Sequence, residues 1–267
     1  MTAESVAALA VSAGLAGASI AIAPLDDPGV PPVALRAQAA IYPASMIKVP
    51  IAMVLAGLVD RAAYRLDDKV RVDAANLTAN DAPSPFVPDF VAELGALGRA
   101  MLSRSDNVAT NVLIDVLDRD RITRACAALG LGATAVRRKL SGALPLIADP
   151  GATGRNAFPA ADAARLFERI ARDVERKPSW VYDALLGQIW NDRLSRGWGA
   201  GDRFAHKTGE TDDTAHDGGI LTLRDGRRFV IVVYTERPSN PETDARFATF
   251  ATALRPRLAR LTVPANR

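Results

Sequence analysis

A chain of 267 residues, 49% hydrophobic and 24% charged, can bury a sizeable core without metal or disulfide staples. Its net charge of +3 comes mainly from arginines scattered through helical stretches such as Arg165 to Arg176, and only 6% of residues are aromatic; lacking a basic stripe with interleaved aromatics, it is expected to have no nucleic-acid partner. The single Cys126 cannot close an internal disulfide, and no stretch reaches the ~20 apolar residues of a membrane span, so no membrane partner is expected.

Glu4–Ala13 has helical composition and stops at Gly14. Ala18–Leu25 reads as a strand, Asp26-Asp27-Pro28-Gly29 as a turn and Val33–Ile41 as a second strand. From Ser45 to Tyr64 apolar residues (Ile47, Ile51, Val54, Leu55, Leu58) dominate a helical pattern, in which Pro50 should loosen the first turn. A loop containing Pro83, Pro85 and Pro88 precedes helices expected at about 90–102, 106–118 and 120–129. Arg137–Pro159, rich in Gly and Pro, reads as one long surface loop, a length uncommon unless functional. Helices return at about 160–176 and 179–191. Three strands follow at Phe204–Gly209, Gly218–Arg224 and Arg228–Thr235, the last two joined by the hairpin signal Asp225-Gly226, before a final helix from about Pro241 to Leu261.

Strands at both ends with helices between argue against a parallel βαβ sheet. The expected fold is α+β. One antiparallel sheet of about five strands is built from both chain ends and flanked by helices, with an all-helical subdomain inserted. Residues 1–42 and 192–267 would form the sheet subdomain and 43–191 the helical one, within a single compact unit.

Three short motifs carry the chemistry: Ser45-Met46-Ile47-Lys48, then Ser105-Asp106-Asn107 about 60 residues on, then Lys207-Thr208-Gly209 about 100 further. Ser45 opens an apolar helix with Lys48 three residues on, so both side chains share a face. A serine hydroxyl attacks poorly until a neighbour takes its proton, and a buried lysine can do so if its pKa falls. The helix N-terminus adds backbone N–H groups where an oxyanion would form. Ser105-Asp106-Asn107 falls where a helix begins and also suits a capping segment. Lys207 and the Thr208 hydroxyl suit a substrate carboxylate, and Gly209 leaves room for a ligand against the strand. Only five lysines occur in a chain rich in arginine, and two of them stand in these motifs.

The set resembles the class A β-lactamase and penicillin-binding-protein family, and the likeness spans nearly the whole chain. His216-Asp217-Gly218-Gly219-Ile220-Leu221, similar to the strand that follows in that family, extends it. The resemblance implies a β-lactamase-like fold and a covalent Ser45 acyl-enzyme on a β-lactam or related small acyl substrate, without a cofactor or metal. It also implies that Ser105 relays a proton to the leaving nitrogen and that Asn107 bonds the substrate amide. Asp106 would tie its segment down, and the backbone N–H groups of Ser45 and Glu210 would form the oxyanion hole. A monomer is expected, cytoplasmic if the chain is complete and periplasmic or secreted if a leader was trimmed.

One feature of that family is missing. Class A β-lactamases carry a loop glutamate that activates the water clearing the acyl-enzyme, yet no glutamate lies in Arg137–Pro159 and Asp149 is its only acid. The expectation is therefore acylation followed by slow deacylation, with Asp149 the replacement base if there is one. The rival readings are a D-alanyl-D-alanine carboxypeptidase and a β-lactam-binding sensor that acylates without turnover. The arginine that would help Lys207 hold a carboxylate stays open among Arg193, Arg196, Arg224 and Arg228. His206 and His216 are expected to face each other across a hairpin as a polar pair; a metal there would need Asp213 or Asp217 as a third ligand.

Overall fold

The computed structural model describes residues 1–261. Helix α1 (Ala3–Ser12) begins at a capping box in which the Thr2 hydroxyl accepts from the Ser5 N–H. Strands β1 (Ser19–Pro24) and β2 (Val33–Leu35) follow, then a 3-10 turn, Ala44–Ile47, running directly into α2 (Lys48–Asp60). Pro50 follows a turn that is 3-10 rather than α, in keeping with a loosened start to the expected helix. It is the third residue of α2, within the first turn, where a backbone N–H has no intrahelical partner to lose.

The short strands β3 (Lys69–Arg71) and β4 (Val91–Glu93) pair antiparallel and were not foreseen. At three residues each, they are too short to display an alternation. Helices α3 (Leu94–Ser103), α4 (Asn107–Leu117) and α5 (Arg119–Ala128) come next, and α6 (Ala160–Val174) follows the long loop. Helix α7 (Trp180–Leu186) stops short of the expected 191, at Gly187. Strands β5 (Arg203–Glu210), β6 (Ala215–Thr222) and β7 (Arg228–Thr235) lead to α8 (Pro241–Ala259).

The main sheet has the order β2-β1-β7-β6-β5, antiparallel throughout, so the two chain ends do meet in it. Both faces are covered, which is why its central strands read as almost unbroken apolar runs. Along β7, Phe229, Ile231 and Val233 enter a core with α1 and α8. Val230, Val232 and Tyr234 point the other way, into the core formed with α2 to α7. No described helix is long and apolar enough to cross a membrane.

The long loop is pinned rather than loose. Its neck closes through the bridge between Ala135 and Ala157, and the Asn156 amide bonds the backbone of Arg137 and Arg138. Buried Asn111 of α4 takes both backbone groups of Leu140, accepting from its N–H at 2.8 Å and donating to its carbonyl at 3.0 Å. At Gly142 the loop lies so close to the 77–80 segment that a Cβ would meet the Ala79 carbonyl oxygen at 1.9 Å.

Candidate active site

The three motifs converge. Ser45 sits half-buried in the 3-10 turn, after Ala44, whose φ of 46° is in the left-handed region. That conformation is sparse for a residue with a Cβ and turns the chain sharply into the helix. Strand β5 closes over this turn at Gly209, where a Cβ would stand 2.9 Å from the Pro43 carbonyl oxygen and 3.2 Å from the Met46 nitrogen. Any side chain at 209 would push the strand away from Ser45.

Lys48 is fully buried, and its ammonium donates to the Ser105 carbonyl at 2.6 Å, the Ser105 hydroxyl at 3.0 Å and Asn107 Oδ1 at 2.7 Å. Lys207, also fully buried, reaches the same Ser105 hydroxyl at 3.0 Å and the Thr208 carbonyl at 2.8 Å. Ser105 is presented by a left-handed residue of its own, φ 58°. Asp106 then caps α4 by accepting from the Ala109 N–H at 2.8 Å, the anchoring role expected of it. Asn107 donates to the Ala79 carbonyl at 2.9 Å, so it ties Lys48 to the segment on which Gly142 packs.

Burial, and then the nearby charge of Lys207, push the Lys48 ammonium well below its ordinary pKa. Burial likewise brings Lys207 down to about 7, with Glu210 opposing the shift and Arg193 adding to it. Two amines with weakened hold on their protons thus share one hydroxyl, a short path along which a proton can pass.

Of the four candidate arginines the structure brings one to this end of the sheet. Buried Arg193 lies under the β5–β6 edge and donates to the carbonyls of Gly209 and His216 at 3.1 and 3.0 Å. Its other partners are Asp244 at 2.7 Å, Ser239 at 2.7 Å and the Glu210 carboxylate. Burial raises the Glu210 carboxyl, but Arg193, Ser239 and Lys207 together hold it below its ordinary value. Arg228 is committed elsewhere, to Asp26 and Glu175, and Arg196 and Arg224 are exposed. Nothing local singles out Arg193, because it precedes a short turn and belongs to no strand.

The histidines do not face each other. Register places His206 opposite Gly219 and His216 opposite Gly209. His206 donates from Nδ1 to Asp217 at 2.7 Å, its Nε2 faces Asn191 at 3.1 Å, and its ring stacks on Phe204. His216 donates from Nε2 to the Tyr42 carbonyl at 2.8 Å and accepts the Thr235 N–H at Nδ1, the pattern of a neutral ring. Burial pushes it down to about 4. Among the described residues no three His, Cys, Asp or Glu side chains converge as a metal would require.

Asp149 is tied down. Its carboxylate takes both ends of Arg119, at 2.8 and 3.2 Å, and the Lys139 N–H at 2.7 Å. Burial pushes it up, yet Arg119 and that N–H hold it below the usual carboxylate range.

A sequence model of the β-lactamase enzyme family matches residues 2–257. The chain belongs to that family. It is a serine β-lactamase-like hydrolase. Among solved structures it resembles PBP-A, at 21% identity over 98% of each chain with a TM-score of 0.82. A PBP-A point mutant in an acyl-enzyme complex with penicillin G is similar at 22% identity, covering 97% of this chain and 96% of that one, TM-score 0.83. A β-lactamase from Sphaerobacter thermophilus shares 23% identity over 98% and 99% of the two chains, TM-score 0.80. At such identities these three likenesses show the fold of the family member. No curated protein sequence matches it significantly.

Proposed function

We propose that this β-lactamase family member forms a covalent acyl-enzyme through Ser45 with β-lactams and releases it slowly. The observation that carries the first half is the shared Ser105 hydroxyl, 3.0 Å from both Lys48 and Lys207. Ser45 Oγ attacks the lactam carbonyl and its proton passes to Lys48. A proton then moves through Ser105 to the leaving nitrogen as the C–N bond breaks. The backbone N–H groups of Ser45 and Glu210 take the oxyanion. Lys207 and Thr208 hold the substrate carboxylate, and Asn107 bonds the side-chain amide. Every group comes from one chain, so a monomer suffices.

The second half rests on the loop. Its only acid, Asp149, is spent on Arg119 and the Lys139 N–H, which leaves the loop without a carboxylate to activate water. The PBP-A mutant captured with penicillin G is in keeping with an acylated state on this fold. The same lack of a base favours, as a second reading, a D-alanyl-D-alanine carboxypeptidase in which a β-lactam is only a trap.

Time-resolved intact mass with benzylpenicillin tests both halves, with Ser45→Ala as control. A Ser45-dependent adduct that persists is the expected result. An adduct that clears as fast as penicillin is consumed would overturn slow release. No adduct would overturn the acyl-enzyme itself. Release of D-alanine from a D-alanyl-D-alanine peptide would decide for the second reading.

A further inference from the structure

A guanidinium has five N–H donors, and in Arg193 all five are engaged. Nε goes to Asp244, one terminal nitrogen to the carbonyls of Gly209 and His216, and the other to Ser239 and Glu210. The Ser239 hydroxyl in turn donates to the Glu210 carboxylate at 2.9 Å, fixing its orientation. The Arg193 side chain is only 4% exposed, whereas that of Glu210 is 37% exposed. Glu210 follows Gly209 on β5, and strand alternation sets its side chain on the same face as Thr208. Two carboxylates, Asp244 and Glu210, therefore share one arginine. These three groups together carry a net negative charge beside the Lys207 ammonium, and its accessible part is Glu210.

We infer that Glu210 determines specificity: its carboxylate occupies the anion-holding donors of Arg193 from within the chain and turns this end of the cleft against substrates bearing a carboxylate beside the scissile amide, in favour of neutral or cationic groups there. The inference rests on the Ser45 acyl-enzyme reading. Benzylpenicillin still reaches Ser45, held by Lys207 and Thr208, but at a rate that Glu210 depresses.

The test compares benzylpenicillin, its methyl ester and its aminoethyl amide, which place a negative, neutral and positive group at one position. Second-order rates of Ser45 acylation are measured by intact mass, each divided by the alkaline hydrolysis rate of the same compound. Working at about pH 5.5 keeps the Lys207 ammonium, pushed down to about 7, mostly charged. In the parent protein the expected order is amide, then ester, then acid. Glu210→Gln should raise the acid-to-ester ratio about tenfold, the scale of one close charge in a partly screened site, and reduce the amide-to-ester ratio. Glu210→Asp, which keeps the charge, should retain the parent order. Using ratios cancels any effect of the substitution on the adjoining backbone N–H.

A parent that prefers the acid to the ester overturns the inference, as does a Glu210→Gln ratio equal to the parent's. If Glu210→Gln fails to fold, the parent order alone decides. Failure of all three compounds to form an adduct overturns the acyl-enzyme reading and this inference with it, whereas adducts with an unchanged ratio overturn the inference alone.

Discussion

Lys48 and Lys207 both donate to the Ser105 hydroxyl, each at 3.0 Å, although 159 positions separate them in the chain. Two fully buried lysines this close cannot both hold their protons at ordinary strength, because each raises the cost of charging the other in a medium that solvates neither well. Once either amine has lost its proton, the hydroxyl between them can donate to it while accepting from the other, so the trio moves a proton with little rearrangement.

Replacing Ser105 by Ala removes the bridge without removing either amine. The rate of Ser45 acylation by benzylpenicillin is expected to fall by about 10²–10⁴, the usual range for loss of a positioned proton carrier. Stopped-flow measurement of the adduct gives the number, and a loss below tenfold would mean that the proton reaches the leaving nitrogen another way.

The pH dependence has two limbs of opposite sign. Lys48 must be neutral to accept the Ser45 proton, so acylation rises with pH as that lowered group gives up its charge. Lys207 must be charged to hold a carboxylate, so acylation by benzylpenicillin falls as pH rises through about 7. The methyl ester of the same penicillin should lack the alkaline limb. An identical limb with the ester would assign the Lys207 proton to bond breaking.

Asp149 is a staple between the long loop and the start of α5. Asp149→Asn leaves Arg119 without its counter-charge in a pair whose side chains are 15% and 4% exposed. Removing one partner of such a pair costs about 3 kcal/mol, to be read from urea unfolding. The lifetime of the acyl-enzyme should not change. A lifetime lengthened by Asp149→Asn would restore Asp149 as the base.

Gly209→Ala tests the closeness of β5 to the nucleophile turn. The added methyl would meet the Pro43 carbonyl oxygen at 2.9 Å and the Met46 nitrogen at 3.2 Å, both of them backbone atoms. Strand and turn must part, and a displacement near 1 Å costs about a hundredfold in rate. Acylation is therefore expected to fall by that factor while the sheet survives. Circular dichroism alongside the kinetics separates a displaced turn from a lost fold.

Much of this protein is written locally. The motifs at Ser45, Ser105 and Lys207, the strands at both ends, the Asp225-Gly226 hairpin and the long helices all announce themselves, because each depends on neighbours a few positions away. Elements too short to show a period did not, and so β3 and β4 went unseen and α7 was drawn too long. The charged partnerships were not legible either. Arg193 was one of four equal candidates until the sheet register brought Gly209, Glu210 and His216 to it. Asp149, the loop's one candidate base, carries Arg119 instead, and strand pairing sets each of the two histidines, expected to face each other, against a glycine. A residue's secondary structure follows from how its neighbours repeat along the chain. Its protonation and its partner follow from which distant charges and how much water surround it, and these are fixed only when the chain has folded.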